Sequence, residues 1–177
     1  MEKGFTEPDK KHCASSPVSE TERNCYDEQW MRLALEEARL AAEEGEVPIG
    51  AVIIWEDQVV ARGHNRSILY NDPTAHAEIL AIREASKRMK NYRLPGMTLY
   101  VTLEPCIMCA GAILQARLTR VVYGTDDPKG GAVNSLYRVL QDGRLNHFVE
   151  VAGGVLQASC AEILSGFFRG KRITSTP

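Results

Sequence analysis

Four side chains in this sequence have the types and spacing of a catalytic metal site: His76 and Glu78, with one residue between them, and Cys106 and Cys109, with two between them. Cysteines at positions i and i+3 of a helix share a face, so both sulfurs can reach one ion. A helix N-terminus and a nearby cation both favour the thiolate form that coordination requires. One imidazole and two thiolates fill three of the four positions of tetrahedral zinc, and a site with three protein ligands is of the catalytic kind, its fourth position open to water. Zinc lowers the pKa of such a water from about 15.7 toward ~7. Glu78 is placed to take the water's proton and hand it on, so it reads as a shuttle and not as a ligand. The expectation is one Zn2+ per chain on His76, Cys106 and Cys109, with Glu78 as the catalytic carboxylate. The same residues also allow a structural zinc site closed by Cys160 or His147, or a redox Cys-x-x-Cys pair. The redox pair has no use for a His-x-Glu partner. Cys160 falls on an apolar helical stripe, where a buried thiol is expected.

For these groups to meet, two helix N-termini must converge. The pattern predicts one helix over 75–89, opening on His76 and Glu78, and another over 105–116, with Pro105 suited to its first position. Strands are predicted over 98–102 and 120–124, alternating with those helices, and such alternation implies crossovers and a largely parallel sheet. An amphipathic helix over 27–44 buries Met31, Ala34, Leu35, Ala38, Ala41 and Ala42, and stops at Gly45 with Pro48 beyond. Runs 50–55 and 59–63 read as a hairpin, and 65–73 as a loop. A fifth strand over 148–151, a final helix over 156–169 and a short helix within 135–140 complete the pattern. The fold class is α/β: a three-layer α/β/α domain in which an antiparallel hairpin feeds a five-stranded mixed sheet.

Composition sets the outer limits. A domain of roughly 150 residues buries about 70% of its unfolded surface, so one core is expected here. The domain is assigned to residues 25–172, between a disordered polar tail at 1–24 and a short tail at 173–177. With 21 Lys and Arg against 23 Asp and Glu, bulk positive charge cannot hold nucleic acid, and any such partner must meet a local patch. Five unevenly spaced cysteines without a secretory signature argue for reduced thiols in the cytoplasm. Apolar runs fall far short of the ~18 residues of a spanning helix, so no membrane segment is expected.

His76-Ala77-Glu78 followed by Pro105-Cys106-Ile107-Met108-Cys109 resembles the signature of the cytidine and nucleobase deaminase superfamily, a match of pattern to a described enzyme group. The wider runs Asp72 to Glu78 and Leu99 to Cys106, with Arg120-Val121-Val122-Tyr123-Gly124, Asn146-His147 and Ser165-Gly166-Phe167-Phe168-Arg169, resemble more narrowly the bacterial tRNA-specific adenosine deaminases. The resemblance runs from about Trp30 to Arg172. It implies a cytidine-deaminase-like fold, zinc dependence, conversion of adenosine to inosine at the wobble position of a tRNA anticodon, and a homodimer with two active sites. It further implies substrate-binding roles for Asn65 at the base, Asp127 and Lys129 at flanking nucleotides, and Phe168 on the nucleotide surface. Read without the resemblance, Asn65 closes a strand, residues 126–130 form a turn, and at least one of Phe167 and Phe168 is core packing. The N-terminal tail exceeds the compact family pattern. The C-terminus after Arg172 is short, which leaves less basic tail for RNA. Phe168 with Arg169, Lys171 and Arg172 makes a small aromatic and basic cluster of a kind that stacks bases and neutralises phosphates. The bare chemistry would equally serve a free cytosine, guanine or nucleotide deaminase. A non-enzymatic, zinc-stabilised RNA-binding module is the alternative from another class.

Overall fold

A computed structural model describes residues 20–174. Most of the two expected tails, 1–19 and 175–177, lies outside the described residues. Strands β1 (Gly50–Trp55), β2 (Gln58–His64), β3 (Thr98–Leu103), β4 (Arg120–Thr125) and β5 (Glu150–Ala152) form one mixed sheet in the order β2-β1-β3-β4-β5. β1 runs antiparallel to β2 and β3, and β3, β4 and β5 are parallel. A two-residue turn closes the hairpin, with Glu56 and Asp57 both at positive φ. That is the geometry which matches the right-handed twist of the strands it joins.

Side chains alternate across the sheet and select its two helical layers. Val52, Ile54, Tyr100 and Val122 face α1 (Glu20–Glu43) and α5 (Gln157–Thr174), packing on Met31, Ala34, Leu35 and Cys160. Ala51, Ile53, Leu99, Val101, Val121 and Tyr123 face α3 (Ala77–Met89) and α4 (Ile107–Gln115), packing on Ala81, Ala85, Ala110 and Ile113. Burial on both faces explains why β1, β3 and β4 read as continuous apolar runs. The expected three layers and five-stranded mixed sheet are present. Gly50 lets α1 lie close on β1, since a Cβ there would sit 2.1 Å from the Ala34 carbonyl oxygen.

Several boundaries differ from expectation. α1 starts at Glu20, so residues 20–24 belong to a helix and not to the N-terminal tail. Residues 22–24 are exposed, which is why no apolar period announces them. α5 runs on through Thr174 and takes in the first two residues of the expected C-terminal tail. The loop after β2 holds a one-turn helix, α2 (Ser67–Tyr70), and the short helix expected within 135–140 is a 3-10 turn at Val139–Gln141. A buried polar network ties α1 to the sheet: Arg120 donates to both oxygens of Asp27 at 2.6 and 2.8 Å, and the Tyr100 hydroxyl donates to the same carboxylate at 2.8 Å. A buried carboxylate is tolerated when it is paired and hydrogen-bonded in this way. Among the described residues no helix is long and apolar enough to cross a membrane.

Candidate active site

Two helices deliver the chemical groups from their N-termini. His76 is the N-cap of α3 and Cys106 the N-cap of α4, both with extended backbone. Pro105 therefore precedes the cap and does not occupy the first helical position. Glu78 lies in the first turn of α3, and Cys109 is the third residue of α4. The positive ends of two helix dipoles thus face one small volume and favour anions there.

The His76 Nδ1 atom lies 3.7 Å from the Cys106 sulfur and 3.6 Å from the Cys109 sulfur. The three ligand atoms all fall within 4.8 Å of one another, and together these residues could hold a metal ion. Nitrogen at 2.0–2.1 Å and sulfur at 2.3 Å from a tetrahedral zinc stand about 3.6 Å apart, so the observed spacing fits that ion. Among the described residues no fourth His, Cys, Asp or Glu joins the group. Cys160, one alternative ligand, is buried beneath β4, where a Cβ on Gly124 would meet its sulfur at 2.3 Å. His147, the other, is engaged through Nε2 with the Leu118 carbonyl at 2.7 Å.

The protons are distributed unevenly over this group. The hydrogen bond from Cys109 lowers Cys106 most, His76 adds to it, and burial opposes; the result is a pKa of about 4. Cys109 is pushed up because it donates to Cys106 and is buried. His76 is raised by its hydrogen bond with Cys106, against burial. Burial pushes Glu78, 4% exposed, above the usual carboxylate range, and the charge on Cys106 adds to this. Loading a cation requires Cys109 to release its proton.

The remaining expected site residues separate into two places. Asn65 is buried just after β2, and its Oδ1 accepts from the Ala77 amide at 2.9 Å. It therefore caps α3 beside His76, satisfying one of the orphan amides of a helix start. Asp127, Lys129 and Phe168 line a single cavity of about 670 Å3 together with Leu103, Lys171 and Arg172. Phe168 is 47% exposed and meets Phe167 edge to face, while the Lys171 ammonium stands 5.3 Å over the Phe167 ring. Asp127 Oδ1 accepts from the Lys129 amide at 3.0 Å, the local bond of an Asx turn.

Glu104, within the run Leu99 to Cys106, has surroundings that the sequence pattern does not announce. Glu104, between β3 and Pro105, is 2% exposed and takes amide hydrogens from four residues of the 127–135 segment. Burial would raise its pKa, but the Ser135 hydroxyl and the Ser135, Asn134 and Asp127 amides outweigh that and hold it at about 2. The available signal was an acid directly following a strand of five apolar or β-branched residues, Leu99 to Leu103.

Comparison with known proteins agrees with this geometry. Residues 25–172 match the family described as MafB19-like deaminase, and a deaminase is the class of protein that the fold and the His/Cys/Cys group define. A tRNA-specific adenosine deaminase of Haemophilus influenzae is 49% identical over 151 residues, covering 85% of this chain and 87% of that one. One of Bacillus subtilis is 50% identical over 146 residues, covering 82% and 91%. A solved structure from studies of A-to-I editing by tRNA:A34 deaminases at the wobble position of transfer RNA is 51% identical. It superposes with a TM-score of 0.74 over 77% of this chain and 99% of that one. The chain belongs to the tRNA-specific adenosine deaminase family.

Proposed function

We propose that this chain converts adenosine to inosine at the wobble position of a tRNA anticodon by zinc-dependent hydrolytic deamination. The observation that carries the reading is the tetrahedral spacing of one imidazole nitrogen and two sulfurs with a buried carboxylate next to them. His76, Cys106 and Cys109 would hold zinc, which when bound supplies the Lewis acidity that makes water a nucleophile near neutral pH. Glu78 accepts one proton of the attacking water and passes it to a ring nitrogen of adenine; it then takes the remaining proton from the new C6 hydroxyl and gives it to the amine, which leaves C6 as ammonia. Asn65, oriented by its bond to the Ala77 amide, directs the other end of its side-chain amide at the base.

Anticodon loops present unstacked bases that a pocket admits without melting a duplex. The cavity lined by Asp127, Lys129 and Phe168 offers an aromatic ring and cations to the nucleotides flanking the target. This reading includes a homodimer with two active sites, acting in the cytoplasm where tRNA is found. Ile68, Leu69 and Tyr70 on α2, each at least half exposed, form an apolar surface of the kind a second copy covers.

Purified protein incubated with tRNA and, separately, with free nucleosides tests the proposal. Inosine confined to the wobble position, with released ammonia, is the expected result. Conversion of free cytidine or guanine alone would point to a small-molecule deaminase, and no conversion of any substrate to a binding module.

A further inference from the structure

We propose that Glu104 is a positioning residue for RNA recognition. On this reading its buried carboxylate holds the loop that carries Asp127 and Lys129 in a fixed place relative to the Cys106 end of the metal-ligand group. The inference rests on the function proposed above and extends it to a residue outside both the ligand group and the cavity lining.

Five donors converge on this one side chain. Oε1 accepts from the amides of Val133, Asn134 and Ser135 at 3.0, 2.7 and 2.9 Å. Oε2 accepts from the Asp127 amide at 3.0 Å and from the Ser135 hydroxyl. Both ends of the loop are therefore fastened to the same carboxylate. The main chain on either side adds to the seam: the Ala132 amide donates to the Pro105 carbonyl at 2.9 Å, and Cys106 bridges to Gly131. Gly131 is what permits the approach, because a Cβ there would lie 2.3 to 2.6 Å from the Glu104 carboxyl atoms.

The chemistry of the seam calls for a carboxylate in particular. An ionised acid only accepts and offers about four lone-pair sites, whereas an amide of the same shape must turn an NH2 group toward some of the donors. Among the described residues no Lys or Arg forms an ion pair with Glu104, so its charge is balanced by hydrogen bonds alone. A buried charge without a cation is costly unless it is satisfied in this manner. The Asp127 amide is itself one of the donors, so the position of a cavity-lining residue depends directly on the carboxylate. Cys106, two residues along the chain, is fixed by the same segment.

Substitution on the zinc-loaded enzyme tests this. Glu104→Gln should raise KM for tRNA by about tenfold, the loss of one charged hydrogen bond. Its kcat should stay within about threefold and its zinc content should equal wild type, because an interaction made equally in ground and transition states changes KM alone. Glu104→Asp keeps an acceptor-only group and should recover part of the affinity. Ser135→Ala removes a single donor and should raise KM in the same direction by a smaller factor. It settles the matter if Glu104→Gln does not fold. A fall in kcat at unchanged KM, or zinc loss at unchanged tRNA affinity, overturns the positioning role. Direct tRNA binding separates the two failures. A wild-type enzyme that makes no inosine counts against the proposed function, whereas equal tRNA retention by Glu104→Gln and wild type counts against this inference.

Discussion

Glu78→Gln protein is expected to fold, to hold its metal and to deaminate tRNA about 10²-fold to 10⁴-fold more slowly, the range for loss of a general acid-base group. The expectation follows from where Glu78 sits. It is in the first turn of α3, two residues after His76, buried, and outside the group that could hold the ion. Glutamine keeps the volume and a carbonyl but cannot accept and return a proton at the amine. The defect should therefore appear in kcat and be matched in kcat/KM, the sign of an interaction made only in the transition state. Single-turnover deamination of tRNA with metal analysis on the same sample reads both quantities. An undiminished rate would exclude the shuttle role.

Cys109→Ser should have the second large effect, through the metal and not through the proton. The Cys109 sulfur is fully buried and 3.6 Å from the imidazole nitrogen that completes the group with Cys106. Mutating a residue that merely supports a ligand costs 10-fold to 100-fold in metal affinity, so loss of a ligand should cost more than about 100-fold. After dialysis against a chelator the variant should be largely metal-free and inactive, while wild type keeps both. Full metal retention by the variant would point to a different ligand set.

Much of the fold was legible because local pattern and tertiary need agreed. β1, β3 and β4 are apolar on both faces, and the two helical layers that bury them follow from the helical periods on either side. The clustering of His76, Cys106 and Cys109 was legible for a similar reason: Cys106 and Cys109 are neighbours at one helix start, and His76 opens the other helix. What the sequence concealed depends on partners far along the chain. Asp27 meets Arg120 across 93 positions and Glu104 meets Ser135 across 31, and a lone acid carries no local mark of such a partner. Asn65 shows a subtler gap. Its closing of a strand and its contact with α3 are both present, because the chain turns at that point and its amide reaches Ala77. Pro105 stands two positions before the first helical residue, Ile107, since Cys106 itself takes the N-cap.

The proposed function requires an imidazole and two thiolates to grip one metal and leave a corner for solvent. X-ray absorption at the zinc edge of active wild-type protein tests it most directly. The expected spectrum has two sulfur scatterers at about 2.3 Å and two lighter ones at about 2.0 Å, one from imidazole and one from solvent. A third protein sulfur, or full activity in protein that contains no metal, would contradict it.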